Sequence, residues 1–143
     1  MSWYKISQNL AEIRSIARTV RMQMEQKHNS EDLRSLCHEI SIILAKKLKK
    51  MGYISATEVR GSVYIDNPDQ EFYSDWDVDM FENEEKMKEE MKYATHHWVE
   101  IGNIVVDITA DQFNDELDED EFPKVYVELK ENADRYQTGI DWY

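Results

Sequence analysis

The chain predicts an α+β fold, in which N-terminal helices lie on a twisted antiparallel sheet, and two observations carry that expectation. As far as Met51 the apolar residues recur every three or four positions, the period of a helix face. From Ala56 onward they recur every second position, and a Gly102-Asn103 dipeptide stands between two short apolar runs, which is the mark of strands joined by a hairpin. Helical and strand patterns segregated along one chain define the α+β class.

The first helix is expected from Gln8 to Glu25, where Leu10, Ile13, Ile16, Val20 and Met24 form a stripe and Glu12, Arg14, Arg18 and Arg21 occupy other faces. His28 to Asp32 is rich in capping residues and breaks the pattern. A second stripe follows through Leu33, Leu36, Cys37, Ile40, Ile43, Leu44 and Leu48, and Met51-Gly52 after a lysine-rich last turn ends it. Ala56 to Ile65 alternates Val59, Gly61, Val63 and Ile65 with Glu58, Arg60, Ser62 and Tyr64, as a half-buried strand does. Asp66 to Trp76 reads as a loop, and Glu82 to Lys92 as a short charged surface helix. His97 to Ile101 and Ile104 to Ile108 then form the hairpin arms. An acidic loop from Asn114 to Glu121 leads to Lys124–Leu129, either a strand or a helix start; the tail to Tyr143 has no clear pattern.

With 143 residues and a hydrophobic fraction of 41%, the chain suits a single domain over residues 1–143, since two halves would each be marginal. Seventeen Lys and Arg against thirty Asp and Glu give a net charge of -13. Such a surface repels phosphate backbones and anionic lipids, so neither nucleic acid nor membrane is an expected partner. No apolar run approaches the ~18 residues of a membrane span, and the start lacks the pattern of a secretory signal. One cysteine cannot form an internal disulfide, so the expected compartment is the cytoplasm.

The candidate chemistry lies in Cys37, His96 and Asp107. A helix beginning near Leu36 puts the Cys37 thiol in the field of unpaired N–H groups, which favours the thiolate; one beginning at Ser30 makes Cys37 an ordinary core residue. Within a strand His96, Trp98 and Glu100 face one way and His97, Val99 and Ile101 the other. A two-residue turn at Gly102-Asn103 pairs Ile101 with Ile104 and puts Asp107 diagonal to His96 on one face. That suits a base and its orienter, or equally a structural His–Asp pair. No metal site is expected. Asp75 to Asp79 fails as a calcium loop, with Met80 where Gly is needed and Lys86 where Glu is needed. His96 and His97 diverge, and Cys37 and His38 lack a standard zinc spacing.

The strings around these residues add a resemblance. His96-His97-Trp98-Val99-Glu100-Ile101 is similar to the His-Ala-Trp-Val-Glu-Val segment of transglutaminase-like domains, and Val106-Asp107-Ile108-Thr109 resembles their Asp-Pro-Thr segment. The helix from Cys37 to Lys50, with Met51-Gly52-Tyr53 and the strand into Val59-Arg60-Gly61, resembles their Cys-helix-Leu-Gly-Ile-Pro-Ala-Arg-Val-Val-x-Gly segment. The likeness runs from Leu33 to Phe113, and Thr109-Ala110-Asp111-Gln112-Phe113 is similar to small bacterial members of the papain-like/transglutaminase-like superfamily. The resemblance implies a transglutaminase-like core and a thiol enzyme with no cofactor. Cys37 is then the nucleophile, His96 the general base and Asp107 the group fixing its tautomer; a one-residue slip would exchange His96 for His97. For the oxyanion, the Cys37 N–H supplies one donor and Gln26, Asn29 or Gln112 a second. The implied reaction is cysteine-dependent acyl transfer or hydrolysis at an amide of a peptide or protein, of peptidase or glutamine deamidase type. The alternatives are a non-catalytic acidic binding module that keeps the fold, and an accessory protein of phage or toxin type.

Overall fold

The computed structural model describes residues 3–67, 82–118 and 121–138, without the side chains of residues 3–7. Two helices come first, α1 (Trp3–His28) and α2 (Cys37–Lys50). They are followed by β1 (Thr57–Tyr64), α3 (Glu84–Met91), β2 (Tyr93–Ile101), β3 (Ile104–Asp107), β4 (Tyr126–Leu129) and β5 (Tyr136–Gln137), with a 3-10 helix at Ala110–Glu116. The strands form one antiparallel sheet in the order β4-β3-β2-β1-β5. The class is therefore α+β.

The sheet separates two apolar layers. On one face Val99, Ile101 and Val106 pack with Ile13, Val20, Ile40, Leu44 and Leu48 of the helices. On the other, Val63, Trp98 and Val105 pack with Phe113, Leu117 and Phe122. Both faces are covered, so the alternation along β2 chooses between two interiors rather than between core and water.

α1 begins at Trp3, five residues before the expected start at Gln8. Arg21, expected on an outer face, is buried. Its guanidinium donates to the Ile108 carbonyl at 2.6 Å and to Asp111 at 2.8 Å, and it pairs with Glu25 of its own helix. A buried cation needs such partners, and these tie α1 to the segment after β3.

The residues of the His28–Asp32 break cap turns rather than a helix. Ser30 Oγ accepts from the Asp32 N–H and Asp32 Oδ1 from the Arg34 N–H. Ser35 follows in the left-handed region (φ 69), where a right-handed helix cannot run. α2 consequently begins at Cys37, one position after Leu36, whose side chain caps nothing.

The β2–β3 hairpin has the expected register, Ile101 opposite Ile104, and of its turn residues only Gly102 takes positive φ (57). Of Lys124–Leu129, the part Tyr126–Leu129 is a strand beside β3. The tail folds back as β5 beside β1. The acidic stretch expected as a loop from Asn114 lies partly in the 3-10 helix, while α3 is superficial except for the buried Met91. Asp75 to Asp79 and Met80 fall outside the described residues.

Candidate active site

β3 pairs with β2 only as far as Val99–Val106. Beyond that point no strand among the described residues pairs with this side of β2 at His96 and His97, and the N-terminus of α2 meets it there. The half-buried Cys37 contacts the His96 ring and accepts from the His97 backbone N–H.

His96 is fully buried, wedged between Trp98 and Phe113 with ring centroids 6.0 and 5.0 Å away. Its Nε2 lies 2.7 Å from Asp107 Oδ2. Nδ1 is buried with no hydrogen-bond partner among the described residues, while the Cys37 thiol is near enough to the ring to raise the imidazole. Asp107, also buried, collects four donors: its Oδ1 accepts from the Thr109 N–H at 2.9 Å and the Thr109 hydroxyl at 3.3 Å, and its Oδ2 from His96 and from the Tyr136 hydroxyl at 2.8 Å. A carboxylate so satisfied holds the ring next to it in one orientation.

The electrostatics follow from burial set against pairing. For Asp107, burial raises the carboxyl, but the charge and hydrogen bond of His96, with Thr109 and Tyr136, outweigh it and hold it below the usual carboxylate value. For His96, burial pushes the imidazole down, while Asp107 and then Cys37 pull it up to about 9. For Cys37, burial pushes the thiol up, and the hydrogen bond and charge of His96 with the His97 N–H more than reverse this, against some opposition from Asp107. Thiolate and imidazolium thus stabilise one another. Tyr136 is driven well above the ordinary phenol value by burial and by the Asp107 charge, so it remains a donor.

The structure therefore brings Cys37, His96 and Asp107 together and directs His97 elsewhere. His97 lies on the helical face of the sheet, opposite Arg60, with Nδ1 on Glu58 Oε1 and its ring 4.5 Å from that of His38. Of the three side chains considered as a second oxyanion donor, Gln112 is occupied, donating to the Thr109 carbonyl at 2.9 Å. Gln26 and Asn29 line a surface cavity with Met22, Glu25, Ser30 and Glu31. The uncapped first turn of α2 leaves the Cys37 N–H as the donor next to the thiol.

Three participants escaped the sequence. Tyr136 belongs to the patternless tail, and Thr109 entered only as part of a string. Glu58 read as the polar side of a strand, although the antiparallel register of β1 on β2 puts it diagonal to His97. No protein-family model, no curated protein and no solved structure matches this chain.

Proposed function

We propose that this protein is a cysteine-dependent acyl-transfer enzyme on a transglutaminase-like core, with Cys37 as nucleophile, His96 as general base and acid, and Asp107 as the positioning residue behind it. One observation carries the reading: a half-exposed thiol at a helix N-terminus meets a buried imidazole whose other nitrogen is fixed by a buried carboxylate. Nucleophile, base and orienter stand in line, which is the arrangement activated nucleophiles require.

In the reaction the Cys37 sulfur attacks an amide carbonyl carbon, and the N–H groups at the start of α2 stabilise the resulting oxyanion. His96 gives its proton to the leaving amine as the C–N bond breaks, leaving a thioester on Cys37. His96 then takes a proton from water, whose oxygen attacks the thioester, and the sulfur departs to restore the thiolate–imidazolium pair. The substrate class is a peptide or protein amide.

Rapid mixing with an activated acyl ester, followed by intact-mass analysis, tests this directly. Wild-type protein should gain one acyl group on Cys37 and lose it again by hydrolysis. His96→Ala should acylate slowly and Cys37→Ser not at that site. Equal acylation and deacylation in wild type and His96→Ala would overturn the reading.

A further inference from the structure

On the face of β2 opposite His96, three side chains from three elements converge. His38 comes from the first turn of α2, Glu58 from β1 and His97 from β2, and their ligating atoms all lie within 4.8 Å of one another. We propose that His38, Glu58 and His97 form a binding site for a divalent transition ion, zinc by preference, with its remaining coordination position open to solvent.

The ligand chemistry is specific. Two imidazoles and one carboxylate form a set that zinc accepts in open sites, with a water completing the shell. Nitrogen donors disfavour magnesium and calcium, which take oxygen. The geometry requires little movement, because tetrahedral bonds of about 2.0–2.2 Å put ligand atoms roughly 3.3–3.6 Å apart. His97 Nδ1 and Glu58 Oε1 now share a hydrogen bond, so an ion would replace that bond, with these two atoms parting slightly and His38 moving inward. That ring is exposed and already lies against the His97 ring, 4.5 Å between centroids at 36°. The side chains of His97 and Glu58 are 19% and 26% exposed, open enough for entry yet anchored on paired strands. A chain of net charge -13 also favours cation approach.

Such an ion would clamp the first turn of α2 to β1 and β2. His38 follows Cys37 and His97 follows His96, so the clamp would join the element that carries the thiol to the strand that carries the imidazole. The proposal stands on different atoms from the acyl-transfer reading and is testable without it.

The test uses the whole 143-residue chain carrying Cys37→Ser, which removes the thiol as a competing ligand. Titration with zinc chloride by calorimetry should give one site, and zinc should raise the melting temperature, while magnesium and calcium should do neither. His38→Ala and Glu58→Gln, made singly in the same background, should each weaken zinc binding by more than about tenfold, since even losing an outer-shell partner costs that much. Two results would overturn the site: unchanged zinc affinity in both ligand variants, or zinc binding by wild type that disappears with Cys37→Ser alone. Neither bears on acylation of Cys37, which is measured separately in zinc-free buffer.

Discussion

Replacing Asp107 with Asn distinguishes a catalytic orienter from a structural carboxylate. In the wild type all four groups around Asp107 donate to it. An Asn side chain has one acceptor oxygen and one donor NH2. If its oxygen keeps the Thr109 contacts, the NH2 faces His96 Nε2 and the Tyr136 hydroxyl, both previously donors. Tyr136 can rotate its proton away. His96 can become an acceptor at Nε2 only by carrying its proton on Nδ1, the nitrogen that Asp107 leaves to the thiol in the proposed mechanism. Hydrogen bonding is thus largely recovered, and the stability cost should be about 1–3 kcal/mol, the range for a disturbed buried polar group. At roughly 3 °C per kcal/mol for a chain of this size, the melting temperature falls moderately and the fold survives. Function fares differently, because a neutral imidazole with its proton on Nδ1 cannot take one from the thiol. By the precedent of the same substitution in a serine-protease triad, acylation should drop about 10⁴-fold, or roughly 5 kcal/mol of transition-state stabilisation. Thermal unfolding and single-turnover acylation by an activated ester, measured on one preparation, decide the matter. A lowered melting temperature with an unchanged acylation rate would remove Asp107 from the mechanism.

Further outcomes follow from the same contacts. Cys37 in the folded protein should begin to alkylate with iodoacetamide at a lower pH than in the unfolded chain, because His96 holds its thiol below the ordinary value, whereas a free thiol ionises only at about 8.5; below that pH the folded chain presents more thiolate than the unfolded one. His96→Ala leaves the burial of Cys37 without its counter-charge, so the onset should move above that of a free thiol, whereas His97→Ala should change it little. Tyr136→Phe removes one donor from Asp107 and should cost about 1 kcal/mol of stability, read by denaturant titration, with a smaller loss of acylation than Asp107→Asn. Arg21→Ala leaves the Ile108 carbonyl and Asp111 without their cation and should cost about 3 kcal/mol, a melting-temperature drop of roughly 10 °C. Gly61→Ala would drive a Cβ into the Trp98 ring and the Gln137 backbone carbonyl. Because backbone cannot yield as a flexible side chain does, a loss of about 3 kcal/mol or more is expected in thermal melts.

What the sequence determined by itself was local and periodic. The stripe through Ile40, Leu44 and Leu48 specified the buried face of α2, and Gly102-Asn103 between two apolar runs set the hairpin register that puts Asp107 diagonal to His96. These follow from the geometry of one helix or one tight turn, which neighbouring residues fix alone. What the tertiary structure decided was every relation between distant segments. The start of α2 at Cys37 is set by Ser35 in a left-handed conformation, where the apolar pattern alone also allows a helix from Ser30. Arg21 is interior only because the Ile108 carbonyl and Asp111, from the segment that follows β3, come to it. Tyr136 reaches Asp107 because β5 returns along β1, a pairing that a two-residue strand cannot announce. Glu58 and His97, each the polar member of an alternating strand, meet His38 only when β1, β2 and α2 pack together. Periodicity tells which side of an element is apolar, but polar partners meet through long-range closure of the chain, and no spacing along the sequence records which polar groups that closure will bring within hydrogen-bonding distance.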